Sequence, residues 1–231
     1  MKKLVVFTGA GMSQESGLRT FREMGGLWEQ YDVNDVASID AWHRNPELVM
    51  DFYNQRRKQL MEASPNKGHY GIAALEKWFD VQIITQNVDD LHERAGSTNI
   101  LHLHGELLKA RSTIDPDLIY TLDHWELKLG DKCEKGSQLR PHIVWFGEQV
   151  PALNAAIPMV ENADILVVAG TSLAVYPAAG LVHYAKNGIP IFVIDPNRPG
   201  ISRENVTFIE EKAGKGVEML MEKLKNLIEN G

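Results

Sequence analysis

A short apolar run, Leu4-Val5-Val6-Phe7, that stops on Thr8-Gly9-Ala10-Gly11-Met12-Ser13 is the feature that most narrows what this chain can fold into. Such a run reads as a buried parallel strand, and the small residues after it bring a bare backbone to the edge of a sheet. Amide groups of that turn, with the start of the following segment, form an anion site where a pyrophosphate would sit. The dinucleotide fingerprint wants a third glycine three positions after the second; Gln14 stands there, and the next glycine is Gly17. The rest of the stretch adds hydroxyls at Ser13 and Ser16, an aromatic and a cation in Thr20-Phe21-Arg22, and hinge glycines at Gly25-Gly26.

Further apolar runs recur at Val81–Thr85, Ile100–His104, Ile143–Phe146, Ile165–Ala169, Ile189–Ile194 and Val206–Ile209. Several alternate with segments of helical period, the pattern of a parallel sheet covered on both faces, so the expected fold is a doubly wound α/β domain. A long helical block carries two stripes, Leu48, Phe52, Gln55, Gln59 and Val49, Tyr53, Arg56, Leu60, that mix polar with apolar groups. A second helix runs from an Asn66 cap to about Phe79 with Ile72, Leu75 and Phe79 on its core face, and Val217, Leu220, Met221, Leu224 and Ile228 make a last amphipathic helix. The segment from about Lys109 to Arg140 breaks the rhythm with turn formers and reads as an insertion. The expected division is a Rossmann-like domain of residues 1–27, 66–108 and 141–231, with 28–65 and 109–140 forming a small subdomain.

Composition excludes several classes. A net charge of −7 and a pI near 5.6 argue against a nucleic-acid binder, which usually shows a basic face. No stretch reaches the roughly 18 apolar residues of a membrane span, and Met1-Lys2-Lys3 with four strongly apolar residues after it is too short for a signal peptide. The expected location is the cytoplasm, with no membrane partner. The single cysteine, Cys133, excludes an internal disulfide and a Cys-rich metal cluster.

Four constellations stand beyond the apolar runs. Gln86-Asn87-Val88-Asp89 places an amide and a carboxylate at the carboxyl end of a strand, where ligands of open α/β sheets bind. Asn87 and Asp89 suit a carboxamide, one donating to its carbonyl and the other accepting from its NH2, and equally suit an Asx turn. His102-Leu103-His104-Gly105-Glu106 points two imidazoles the same way; no third metal ligand is evident nearby, and a histidine before glycine at a strand end suits a general base. Gly170-Thr171-Ser172 and Asp195-Pro196-Asn197 follow two later runs, the carboxylate being suited to ribose hydroxyls.

Taken together, these motifs in this order resemble the sirtuin family of NAD-dependent protein lysine deacylases. The matching segments are Gly9–Ser13 with Ser16-Gly17 and Thr20-Phe21-Arg22, Gln86–Asp89, His102–Glu106, Val144-Trp145-Phe146-Gly147-Glu148 and Gly170–Ser172, covering nearly the whole chain. The resemblance implies NAD as cofactor and acyl-lysine proteins or peptides as partners. It implies that Gly9, Ala10, Gly11, Ser13, Phe21 and Arg22 serve the phosphate side, and that Gln86, Asn87 and Asp89 serve the nicotinamide end. Gly170, Thr171, Ser172, Asp195, Pro196, Asn197 and Ala213 would serve the adenosine half. In such enzymes the acyl oxygen attacks the ribose carbon as nicotinamide leaves, and His104 deprotonates the ribose hydroxyl that then attacks the resulting imidate. Asn87 shares the catalytic role, and Val144, Trp145, Phe146, Gly147 and Glu148 would take the substrate peptide by strand addition.

Within the family the chain is most similar to the class III branch, which favours acidic acyl groups. The basis is Tyr53 and Arg56, three apart on one helical face, which would together hold a succinyl or malonyl carboxylate. Two departures stand out. Met24 occupies a position that is usually alanine in that branch, where a thioether would narrow the acyl pocket, so acetyl stays beside succinyl and malonyl. Four zinc-binding cysteines are usual in relatives, whereas here Ser112 stands at the first place and only Cys133 remains. No zinc is therefore expected, and packing of Ile114, Leu118, Ile119, Tyr120, Leu122, Trp125 and Leu127 is expected to hold the subdomain instead. Other readings of the same residues are an ADP-ribosyltransferase or NAD-cleaving enzyme, a non-catalytic NAD-binding module, and a hydride-transferring dehydrogenase.

Overall fold

The computed structural model describes residues 1–18 and 31–229, with side chains to residue 225. Phe21, Arg22 and Met24 lie outside the described residues. Six parallel strands form the main sheet: β1 (Lys3–Thr8), β2 (Asp80–Thr85), β3 (Ile100–His102), β7 (Ile165–Ala169), β8 (Ile191–Ile194) and β9 (Val206–Ile209). Their spatial order is β3-β2-β1-β7-β8-β9. The chain thus winds outward from β1 in one direction, returns to lie beside β1, and winds outward in the other. The doubly wound expectation holds, and the winding reverses between β1 and β7.

Apolar side chains explain why these runs are strands buried on both faces. Leu4, Val6, Ile83 and Val167 point into one cluster, and Val5, Phe7, Ile84, Leu166 and Val168 into another. The alternation is the two-residue period of a strand. Helix α4 (Lys67–Ala74) and the last helix, α7 (Ala213–Glu229), cover the first face through Ile72, Leu75, Val217, Leu220 and Leu224. Asn66 caps α4 by accepting from the Gly68 and His69 amides. A single α-helix to Phe79 gives way at Leu75–Lys77 to a 3-10 turn, with Phe79 still buried. Helix α6 (Leu153–Glu161) and the 3-10 helix Ala178–Tyr184 cover the other face.

The run Ile143–Phe146 is not a strand of this sheet. Its first residue, Ile143, ends β6 (Leu139–Ile143), and Val144–Phe146 follow outside it; β6 with β4 (Gly105–Ser112) and β5 (Ile119–Thr121) makes a three-stranded antiparallel sheet in the order β5-β4-β6. Short helices α1 (Val33–Val36), α2 (Ile39–Arg44) and α5 (Leu91–Arg94) and the long α3 (Pro46–Glu62) complete the fold. Val36, Trp42, Val49, Phe52, Tyr53 and Leu60 share one apolar cluster with Leu107, Leu127, Leu139 and Trp145. Helix α3 is what covers the small sheet.

That small sheet is held by part of the expected apolar packing and by polar contacts besides. Leu127 is buried and Leu118, Tyr120 and Leu122 pack against the cluster, but Ile114 (66 %), Ile119 (44 %) and Trp125 (40 %) are exposed. Two polar residues of α3 do part of the holding. Asn54 Nδ2 donates to the Leu127 carbonyl at 2.9 Å, and its Oδ1 accepts from the Leu127 amide at 2.9 Å. Arg57, fully buried, donates to the carbonyls of Leu107 (2.7 Å) and Trp125 (2.6 Å). Cys133 Sγ lies 3.4 Å from Ser112 Oγ, which also accepts from the Ile114 and Asp115 amides. Among the described residues no group of three or more His, Cys, Asp or Glu side chains is placed to hold a metal ion, and no helix is long and apolar enough to cross a membrane.

Candidate active site

Strand register brings the singled-out turns together. Thr8 lies level with Thr85 and with Ala169, Thr85 with His102, and Ala169 with Ile194. The residues that follow, Gly9, Gln86, Leu103, Gly170 and Asp195, therefore form one rim at the carboxyl end of the sheet.

At the reversal between β1 and β7 the two glycine turns are in contact. Gly11 donates its amide to Gly170 O at 2.8 Å. Gly170 has φ +63°, and a Cβ there would sit 2.2 Å from Met12 N, so only glycine fits. The small residues thus serve first to let two backbones touch. The amides of Gly9, Met12 and Ser13 are likewise bonded to carbonyls of Ala169, Gly9 and Ala10, which takes them out of the expected anion site. Ala10 remains exposed and lines the neighbouring cavity. Ser16 Oγ is engaged by Asn66 Nδ2 (3.1 Å), which also reaches the Met12 carbonyl (2.8 Å) and ties α4 to the turn.

Beside this seam is a cavity of about 620 Å³ between the parallel sheet, α3 and the segment after β6. Its floor is a polar chain. Ser13 Oγ donates to Asp89 Oδ2 at 2.8 Å, and Asn87 Nδ2 donates to Ser13 Oγ (3.0 Å) and to Gly9 O (3.1 Å). Both protons of the Asn87 NH2 are therefore directed into the protein, which corrects its assignment as a donor to a ligand carbonyl. Asp89 accepts from Ser13 and the Leu91 amide and keeps acceptor capacity toward the cavity. Burial pushes its carboxyl up, and the bonds from Ser13 and Leu91 oppose this.

His104 lines the same cavity. Its Nδ1 lies 3.0 Å from the Gln86 carbonyl; a carbonyl only accepts, so Nδ1 carries the proton and Nε2 the lone pair. Burial lowers its pKa, partly offset by the Gln86 bond. Gly105 follows with φ +80°, and a Cβ there would lie 2.0 Å from the His142 carbonyl. The glycine of the His-Gly pair is needed where the chain turns from the parallel sheet into β4.

On the opposite wall Tyr53 is buried, its ring 5.2 Å from Phe52 and 5.9 Å from Trp145. Burial raises its hydroxyl to about 12, against the pull of Arg56. The Arg56 guanidinium stands 5.8 Å from the ring centres of both Phe52 and Tyr53, and Tyr53 and Asp89 partly offset the lowering of its pKa by burial. The segment Val144–Glu148 forms a third wall. Trp145 in it is buried, with the Arg140 guanidinium 3.6 Å from its ring centre. Glu148 binds Arg140 at 2.7 and 2.8 Å, Arg111 at 3.1 Å and the Trp145 amide at 2.9 Å, so its carboxylate shapes this segment rather than facing a peptide. Phe146 exchanges backbone hydrogen bonds with Ala37 and Ile39, so that edge is already paired and strand addition along the whole of 144–148 is closed at its centre.

The expected adenosine-side residues do not line this cavity. Thr171 is buried 3.4 Å from Gln86 Nε2, Asp195 accepts from the Asn197 amide at 2.9 Å in an Asx turn beside Pro196, and Ser172 is exposed on the rim. Ala213 is buried in the core at the start of α7. Leu60, Val88, Leu107 and Tyr176 also line the cavity, with no local signal in the sequence to assign them to a site. Gln59, on a stripe of α3 that mixes polar with apolar groups, stands on the cavity wall as well.

The Sir2 family model matches residues 9–177. The chain is 54 % identical over 227 residues to the NAD-dependent protein deacylase of Helicobacter pylori (strain J99), covering 97 % of this chain and 96 % of that protein. It is 52 % identical over 230 residues to the NAD-dependent protein deacylase of Bacteroides thetaiotaomicron, covering 97 % and 98 %. A Sir2 homologue solved with NAD superimposes with a TM-score of 0.88 at 40 % identity over 98 % of this chain and 90 % of that one. The chain belongs to the Sir2, or sirtuin, family.

Proposed function

We propose that this protein is an NAD-dependent protein lysine deacylase, acting on succinyl-, malonyl- or acetyl-lysine of protein or peptide substrates. The observation that carries the reading is that the Nε2 lone pair side of His104, the buried Asp89 with its Ser13 donor, and the Tyr53–Arg56 pair all line one cavity beside the β1/β7 reversal. The relatives' names as NAD-dependent protein deacylases support it.

The residues present fit NAD: Asp89 keeps acceptor capacity for an amide NH2, and the rim residues Gly170–Ser172 and Asp195–Asn197 stand along the same sheet edge. NAD supplies the ribose carbon that the acyl oxygen attacks as nicotinamide leaves. Asp89 and Ser13 orient the nicotinamide amide, with Asn87 fixing Ser13. His104 takes a proton from a ribose hydroxyl at Nε2, while the bond from Nδ1–H to Gln86 holds the tautomer that leaves Nε2 basic. Arg56 and the Tyr53 hydroxyl face the acyl chain, where a carboxylate gains charge-assisted hydrogen bonds that an acetyl group lacks. In this reading residues 28–65 and 109–140 form the small subdomain, no zinc is needed there, and the protein works in the cytoplasm.

The test is mass spectrometry of one peptide carrying acetyl-, succinyl- or malonyl-lysine, incubated with NAD and with wild type, His104→Ala or Arg56→Met. Loss of the acyl group with an O-acyl-ADP-ribose product, abolished in His104→Ala, is expected. Arg56→Met should lose roughly ten- to a hundredfold for acidic acyl groups only, the value of about 1.5–3 kcal/mol for a charged hydrogen bond. Nicotinamide release with every acyl group left in place would overturn the deacylase reading in favour of NAD cleavage or transfer.

A further inference from the structure

The two histidines of His102-Leu103-His104 make parallel hydrogen bonds and end differently. His104 Nδ1 meets the carbonyl of Gln86, and His102 Nδ1 meets the next carbonyl, that of Asn87, at 3.1 Å. His104 then opens onto the cavity, whereas His102 Nε2 lies 2.8 Å from Glu93 Oε1 and its side chain is only 9 % exposed. A carbonyl and a carboxylate are both acceptors, so each nitrogen of His102 carries a proton and the ring is an imidazolium. A charge-assisted donor grips a carbonyl about twice as strongly as a neutral one.

What His102 grips is the peptide on which the site depends. The Asn87 amide is held from the other side by Thr85 Oγ1 at 3.0 Å. Between these two anchors the Asn87 side chain reaches Gly9 and Ser13, Ser13 reaches Asp89, and the preceding carbonyl fixes His104. We propose that His102, pinned by Glu93, is a positioning residue for the reaction, clamping the Asn87 carbonyl so that the 86–89 segment presents Asp89 and orients His104. This rests on the assignment of Asp89 and His104 under the proposed function. Burial opposes the charge on His102, but the Glu93 bond outweighs it and holds the pKa above its usual value. The Asn87 carbonyl and Glu106 add to that, and the buried His92 ring nearby is kept neutral by burial and by the charge on His102.

The test compares two variants of similar size. Asparagine places its amide nitrogen near the Nδ1 position of histidine, within reach of the Asn87 carbonyl; glutamine places it near Nε2, toward Glu93. His102→Gln should raise the KM for NAD and lower kcat by together about tenfold to a hundredfold, the scale of a misplacement near 1 Å, with the KM for acyl peptide unchanged. His102→Asn should recover most of the loss. Glu93→Gln, whose NH2 can donate to Nε2 while Nδ1–H stays on Asn87, should cost less than His102→Gln. Equal activity in the Asn and Gln variants, or losses that follow the melting temperature alone, would overturn the inference. His104→Ala measured alongside separates the two levels. If it abolishes turnover while His102→Gln does nothing, only the clamp fails; if it leaves turnover intact, the site assignment fails first.

Discussion

The parallel sheet and the small antiparallel sheet of this protein both pack on apolar clusters but differ in how much polar side chains add to the holding. The parallel sheet lies between two apolar clusters, and the buried side-chain hydrogen bond between its strands is at the rim where Thr8 and Thr85 meet. The small sheet leaves Ile114, Ile119 and Trp125 in solvent and is fastened to α3 by side chains bonded to its backbone. Asn54 pairs with both the amide and the carbonyl of Leu127, as a neighbouring strand would. The difference shows that a small sheet with apolar cover on one face can be fixed further by polar groups, since breaking one such bond strands a buried carbonyl.

Several measurements would break or sharpen that contrast. The largest effect is expected from Gly170→Ala, where a new Cβ meets Met12 N and the backbone is left-handed: about 4 kcal/mol or more lost in urea unfolding, from overpacking and strain together. Arg57→Met should come next. It strands the Leu107 and Trp125 carbonyls and should cost about 3 to 4 kcal/mol. Hydrogen exchange should show that loss first in β4 to β6, with β1 and β7 still protected. Equal loss in both sheets would mean that they are one cooperative unit.

Acid tests the rim of the parallel sheet. Burial keeps His69 neutral down to about pH 4, with Arg94 adding to the effect and Glu93 opposing it, while the unfolded chain takes a proton near 6.5. Between those values the unfolded state binds more protons, so stability falls with falling pH, by about 3 kcal/mol in all, and is level above about 6.5. Unfolding at pH 7 and pH 4 in wild type and His69→Asn checks this, and an unchanged slope in the variant would assign the acid loss elsewhere. Ser112→Ala, which removes the acceptor of Cys133 and of two amides, should cost about 1 kcal/mol. A chelator should shift the melting temperature not at all, and stoichiometric zinc by elemental analysis would contradict the proposal that no zinc is needed in the small subdomain.

The parallel sheet was legible in the sequence because strands buried on both faces must be continuously apolar, as β7 and β8 and most of β1 are, while β2 and β9 keep enough apolar residues to be found. The run Ile143–Phe146 looked the same, but only Ile143 is in a strand, and that strand belongs to the other sheet, because period and hydrophobicity do not say which partner a segment will find. The rim residues were legible from their place after strands, whereas the destinations of their hydrogen bonds were not. Nothing local in the sequence shows that the Asn87 NH2 turns inward to Ser13 and Gly9, or that Gly11 spends its amide on Gly170. Asn54 and Arg57 were hidden for the same reason. Only the tertiary fold lays backbone carbonyls of β4 and of the loop after β5 against them.

The contact between Gly11 and Gly170 also bears on ligand affinity. With that seam closed, the turn after β1 has lost its conformational freedom at folding, so a ligand arriving there need not order it. Affinity then scales with the fraction of molecules in which the seam is intact. A substitution far from any ligand atom that opens the seam in nine molecules of ten would weaken binding about tenfold and leave the geometry of the bound complex unchanged.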